Sequence, residues 1–194
     1  EFQLHFSLRI GLGTDSTHSK LQSVEDALNQ YKQPSQYVGV RSINSMSPTV
    51  EPWPKEMLFS LDERVAATRY DRKTRDKTDE STKMSRVEKD EVYRDLKRKE
   101  HRYIDRLQLF HQAIYGADPA RQRLIHFWLN HFTIGSNGPA DFMIGHVIHD
   151  TIATGINGKF ADLAYDITRH PGMLTYLDNV YNIGEKSARA RNAG

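Results

Sequence analysis

Three side chains set the chemical question. His146, His149 and Asp150 stand at spacings that bring them to one side of a helix. Two imidazoles and a carboxylate so arranged can converge on a divalent ion, with zinc or iron as the natural choices for nitrogen and oxygen donors. Such a centre needs a further ligand, which His126, His131 or His170 could supply. The candidate metal set is therefore His146, His149, Asp150 and His131, and metal-assisted hydrolysis or redox chemistry would follow from it. The competing reading is a solvated polar face that happens to contain histidine, because nine histidines in 194 residues make such coincidences easy.

His131 poses the same choice on another segment. At 100° per residue, Leu124, Ile125, Trp128 and Phe132 share one face of a helix over 119–134, with His131 at its edge and His126 and Asn130 opposite. His131 is either a buried ligand or general base, or a core histidine hydrogen-bonded to a carbonyl or carboxylate. Trp128 and Phe132 are packing residues in both cases.

Other chemistries are excluded or unsupported. The chain has no cysteine, so disulfides, thiolate zinc sites, iron–sulfur clusters and cysteine nucleophiles are out. No nucleophile elbow, P-loop, dinucleotide fingerprint or His-Glu-x-x-His pattern occurs. The net charge is only +2. The basic cluster Lys97, Arg98, Lys99, His101 and Arg102, with Arg94 nearby, is also interspersed with Asp90, Glu91, Asp95, Glu100 and Asp105, so no nucleic-acid partner is expected. No apolar run approaches the roughly 20 residues that a membrane span requires.

The elements that would position these residues are helical. Apolar spacing predicts a helix from Ser19 to Lys32, ended by Pro34, and a loop over 34–54 punctuated by four prolines. A helix from Lys55 to Tyr70 should precede a charged stretch, Asp71 to Lys83, that has almost nothing to bury and reads as a mobile linker. The Ser85/Glu88 capping box opens the longest predicted helix, which Gly116 stops. Its apolar face is expected to carry Tyr93, Leu96, Tyr103, Leu107, Phe110 and Ile114. Asp118-Pro119 starts the helix to 134. Helices over 139–154 and 158–169 follow, and a short one runs from Pro171 to Asn179. In the first of these, Ile144, Ile148 and Ile152 line the face opposite the histidines. The expected fold class is all-α, an irregular multi-helix bundle of about six to seven helices with a charged linker. It divides into an N-terminal helical arm (1–83), a helical core (84–179) and a flexible tail (180–194).

Three stretches together carry a resemblance. Arg123-Leu124-Ile125-His126-Phe127-Trp128-Leu129-Asn130-His131-Phe132 resembles a Phe-Trp-x-Asn-His-Phe motif. Phe160-Ala161-Asp162-Leu163, followed by His170-Pro171-Gly172-Met173-Leu174-Thr175-Tyr176-Leu177-Asp178-Asn179, resembles a Phe-x-x-Leu element and a His-Pro-Ala-Met-Leu-x-Tyr-Leu-Asp-Asn signature. Leu8-Arg9-Ile10-Gly11-Leu12-Gly13 resembles an Arg-x-x-x-Gly opening. Their order is that of the bacterial family catalogued as domain of unknown function 1800 (DUF1800). The resemblance implies a helical protein of a bacterial family whose members often appear exported and have no established activity. It marks Trp128, Asn130, His131, His170, Tyr176, Asp178 and Asn179 as motif positions and gives none a chemical role.

Two departures qualify the resemblance. Family members continue into an Asn-Glu-Asn…Ala-Arg-Glu-Leu stretch that residues 180–194 do not match, so an N-terminal portion of a longer protein is expected. The family also tends to have arginine where His149 stands, which makes the His146/His149/Asp150 set peculiar to this sequence.

The leading expectation is a helical module without independent catalysis, structural or protein-interacting, and no residue is assigned a catalytic role. Asn130, His131, His170, Tyr176, Asp178 and Asn179 would supply a polar network fixing the last helices. A protein partner or a second copy would dock on an exposed apolar helix face. The alternative is a zinc- or iron-dependent hydrolase or metal-binding protein using the clustered histidines.

Overall fold

A computed structural model describes residues 10–11, 21, 23–32, 53–115, 118–135 and 138–188. Most of the expected opening stretch, the proline-rich loop and the end of the tail lie outside the described residues. Among those described, the regular structure is entirely helical, as the patterning predicts. No described helix is long and apolar enough to cross a membrane.

Helix α1 (Val24–Lys32) begins where Ser23 and Asp26 exchange hydrogen bonds: Ser23 N–H to Asp26 Oδ2 at 2.9 Å and Asp26 N–H to Ser23 Oγ at 3.1 Å. Its buried Ala27 packs with Leu21 against Ala120. The expected helix from Lys55 is instead a single 3₁₀ turn (Lys55–Met57) followed by α2 (Leu61–Glu80). A capping box at Ser60 and Glu63 sets that start.

Helix α2 corrects the expected linker, because it continues through Asp71 to Glu80. Polar contacts replace the missing apolar ones. Asp71 and Thr78 are buried, and Tyr93 of α3 (Arg86–Arg94) donates to Asp79. The Arg75 guanidinium stands 6.0 Å from the centre of the Tyr93 ring. Only a short link separates Glu80 from the predicted Ser85/Glu88 capping box, which forms and opens α3.

The predicted long helix is broken. Asp95 ends α3, Leu96 is buried, and α4 (Lys97–Tyr115) begins with the Lys97 N–H donating to Asp71 Oδ1 at 2.9 Å. Its face is also inverted relative to expectation. Tyr103, Phe110 and Ile114 are 64%, 63% and 62% exposed, whereas His101, Asp105, Gln108 and Gln112 are buried. These four recur at spacings of four, three and four, so they make one polar stripe directed at α2 and α6. Burial of such a stripe requires partners from neighbouring helices. Asp105 finds them in Arg64 and Gly145, and Gln112 finds one in Asp118.

Asp118 and Pro119 do open α5 (Pro119–His131), though the Asp118 carboxylate caps no backbone donor there. Gln30 of α1 accepts the Ala120 N–H at 2.9 Å instead. The expected helix over 139–154 is composite. A 3₁₀ turn (Pro139–Met143) leads into α6, which is α-helical at Ile144–His146, π-helical at Val147–Ile152 and α-helical again at Ala153–Gly155. Helices α7 (Phe160–Arg169) and α8 (Pro171–Tyr176) and a 3₁₀ turn (Asn179–Tyr181) complete the described chain. The main core gathers around α6, with Val147, Ile148 and Ile152 packed among Ile125, Ile134, Leu163 and Ile167. Burying such aliphatic side chains contributes about 1.5–3 kcal/mol each.

Candidate functional site

Helix α6 presents two chemically different faces to two different cavities. Ile144 and Ile148 line one; His146, His149 and Asp150 line the other. The π-helical turn, in which Ala153 N–H reaches back to the Ile148 carbonyl, includes both His149 and Asp150. His149 is only 9% exposed, while Asp150 stays at the surface.

The polar cavity measures about 270 Å³. Segment Leu58 to Leu61 forms one wall, and His146, His149 and Asp150 form the other. Arg64 and Gln108 line it from α2 and α4. The Arg64 guanidinium and the Asp105 carboxylate pair through two hydrogen bonds, Nη1 to Oδ2 at 2.9 Å and Nη2 to Oδ1 at 2.8 Å, with 3% and 4% of each side chain exposed. Arg64 also donates to the Phe142 carbonyl at 2.8 Å and to the Phe59 carbonyl at 3.0 Å. This saturation is what makes a buried ion pair tolerable. Gly145 N–H adds a third donor to Asp105 at 3.1 Å.

A second buried contact joins α6 to α8. His146 Nδ1 and His170 Nε2 lie 2.9 Å apart. The direction of that hydrogen bond follows from His170 Nδ1, which accepts the Gly172 N–H at 3.0 Å and so carries no proton. A neutral His170 then bears its proton on Nε2 and donates it to His146 Nδ1. His146 in turn is left with its own proton on Nε2, as a donor. The neutral forms are favoured electrostatically. Burial, assisted by His146 and Arg64, pushes His170 down to about 4. Burial also lowers His146, against the attraction of Asp150. His149 is pushed down to about 4 by burial, against the opposing pull of Asp105.

Gln108 adds a donor with no use inside the protein. It is 3% exposed, and its Nε2 is buried without a hydrogen-bond partner. His146 and Gln108 both line the cavity, with the Gln108 Nε2 itself buried from solvent.

The residues marked by sequence are divided between places. His146, His149 and Asp150 share the cavity wall, but His131 does not join them. It is exposed among aromatic rings, 5.4 Å from Trp128, 4.8 Å from Phe132 and 6.3 Å from Phe160 between centroids. Among the described residues, no group of three or more His, Asp or Glu side chains is placed to hold one metal ion.

The six motif residues are likewise dispersed rather than joined in one network. His170 is buried against His146, and Asn130 is exposed, its carbonyl accepting from Thr133. Tyr176 packs beside Gly135, where an added Cβ would stand 2.8 Å from its ring. Asp178 adopts φ 58°, and Asn179 accepts from Asn182 at 2.8 Å. Sequence reading missed Arg64, Asp105 and Gln108. The four-three-four recurrence of His101, Asp105, Gln108 and Gln112 was the signal that could have found the last two.

Helices gathered around a central π-bulged helix, with a saturated ion pair beside a polar cavity, define an all-α protein. The sequence matches the pattern of the family described as protein of unknown function (DUF1800) over residues 8–192, and the chain belongs to that family. No curated protein matches the chain, and no solved structure does.

Proposed function

We propose that this chain is a helical binding module whose polar cavity takes a small ligand bearing hydrogen-bond acceptors. The observation that carries the reading is a cavity lined both by His146, whose ring is left with a donor, and by Gln108, whose buried Nε2 has no partner in the protein. A buried donor left unsatisfied costs about 1–3 kcal/mol, which a ligand acceptor would recover. The test is a titration of ¹⁵N-labelled protein with inorganic phosphate and, separately, acetamide. Shifts of the Gln108 carboxamide and the His146 ring are expected with at least one probe, and Gln108→Leu should abolish them. No movement with either probe refutes the reading. A parallel titration with zinc addresses the rival in which His146, His149 and Asp150 take an ion: it predicts tight, stoichiometric shifts of all three.

A second reading, self-association, is favoured by the exposed stripe on α4. The exposed Tyr103, Phe110 and Ile114, with the half-buried Leu107 between them, follow the four-three-four spacing of a helix-pairing seam. Two copies related by a two-fold axis would lay this stripe on itself. Light scattering across protein concentrations should show a rising mass that Phe110→Ser abolishes. A constant monomer mass for the parent protein would exclude it.

A further inference from the structure

The apolar face of α6 has a cavity of its own. This cleft of about 270 Å³ runs between α4, α5 and α6, and its wall is mainly aliphatic. Ligand sites are usually about 300–1,000 Å³, lined by apolar side chains with a few placed polar groups, so the cleft suits a molecule smaller than most ligands. Two arginines, Arg102 and Arg106, and two aspartates, Asp105 and Asp141, line it, and Arg64 from outside the cleft takes up one of the aspartates. Asp105 is held by Arg64 at 2.8 Å, and Asp141 lies 3.6 Å from Arg102. Arg106 lines the same cleft, is exposed, and has no ion-pair partner among the described residues. An aliphatic slot with one uncommitted guanidinium matches a ligand with a hydrocarbon body and an anionic, planar head.

We propose that this cleft binds a small aliphatic carboxylate, with its chain against Leu109, Leu129, Ile134, Ile144 and Ile148 and its head at Arg106. The site is separate from the polar cavity, since neither His146 nor Gln108 lines it. Chain length is set by the aliphatic wall and head-group choice by Arg106. An anion without a chain gains too little from Arg106 alone, because an exposed charge contact is weak in water.

Calorimetric titration with octanoate, 1-octanol and acetate, all below any micelle-forming concentration, tests this directly. Octanoate should bind about two- to fivefold more tightly than 1-octanol, as expected for an exposed charge contact, and acetate should not bind measurably. Arg106→Gln should bring octanoate to the level of 1-octanol and leave 1-octanol unchanged. Thr133→Trp, at an exposed lining position, should block both chain-bearing probes. Circular dichroism melts of both variants establish that they fold like the parent. Equal affinity for octanoate and 1-octanol in the parent, or undiminished octanoate binding by a folded Arg106→Gln, would overturn the assignment. Binding of acetate alone would also overturn it, as it would indicate a plain anion site. These outcomes are independent of phosphate or acetamide binding at Gln108, so either site can fail without the other.

Discussion

The Gly145 backbone donates to Asp105 Oδ2 at 3.1 Å, and its α-carbon is so close that an added Cβ would collide with the Asp105 carboxylate and stand 2.6 Å from Arg64 Nη2. Only glycine fits, because both groups are buried and pinned by other hydrogen bonds. Gly145→Ala should therefore displace the ion pair or α6 itself and cost about 3–5 kcal/mol, the range for disrupting a buried pair. Urea unfolding followed by circular dichroism reads this. An unchanged midpoint would show that the pair is not held where the geometry has it.

The pair also has a sign to be measured. Asp105→Asn leaves the buried Arg64 uncompensated, and the same range of loss, about 3–5 kcal/mol, is expected. Replacing both residues, as Arg64→Met with Asp105→Leu, removes the unpaired charge and should regain most of that stability. If the double variant is no more stable than Asp105→Asn, the remaining donors of Gly145 and acceptors of Phe59 and Phe142 dominate instead.

The sequence made the helices and the two faces of α6 legible, because they rest on local periodicity: Ile144 and Ile148 do oppose His146, His149 and Asp150. Capping at Ser85 was legible for the same reason. The inverted face of α4 was not. Tyr103, Phe110 and Ile114 look like a core stripe by hydrophobicity, and the partner that Asp105 meets on burial, Arg64, is far away in sequence. The π-helical turn was invisible too, since it depends on packing around α6 rather than on any residue preference. His131 and His170 belong to motifs that read alike, yet one ends exposed beside core-packed aromatic rings and the other in a buried imidazole pair.

The continuation of α2 beyond Tyr70 is open to a direct check. Asp71 Oδ1 accepts the first N–H of α4 at 2.9 Å, a capping role filled from another helix. Asp71→Ala should cost about 1 kcal/mol, the usual value of a lost cap, or about 2–4 °C in Tm for a chain of this size. Asp76→Ala, exposed on the same helix, serves as the control and should change nothing measurable. Equal melting of the two variants would return residues 71–80 to the linker that their charge suggested.

Histidine burial imposes an acid limit whose direction follows from linkage. His149 and His170 are held near 4 in the folded chain, against about 6.5 when unfolded. The groups facing them are Asp105 and Arg64 for His149, and His146 and Arg64 for His170, and burial outweighs the one carboxylate among them. At pH 7 both rings are largely neutral in both states and contribute little pH dependence. As pH falls from about 6.5 toward 4, the unfolded chain takes up protons that the native chain refuses, so stability falls. Below about 4 the native rings also protonate, and their contribution levels off. The capping carboxylates Glu63 and Glu88 are lowered by hydrogen bonds from Ser60 and Ser85, so the stability they contribute is lost as pH falls from the ordinary carboxylate range through their lower native values. Melting curves at pH 7, 6 and 5 should thus show a progressive fall in Tm. A double variant, His149→Gln with His170→Asn, should show a flatter profile over the same interval, because the introduced carboxamide at position 170 does not titrate and still offers an acceptor to the Gly172 N–H. A parent Tm that holds constant from pH 7 to pH 5 would mean that these imidazoles are solvated, and the donor-directed His170–His146 contact would fall with it.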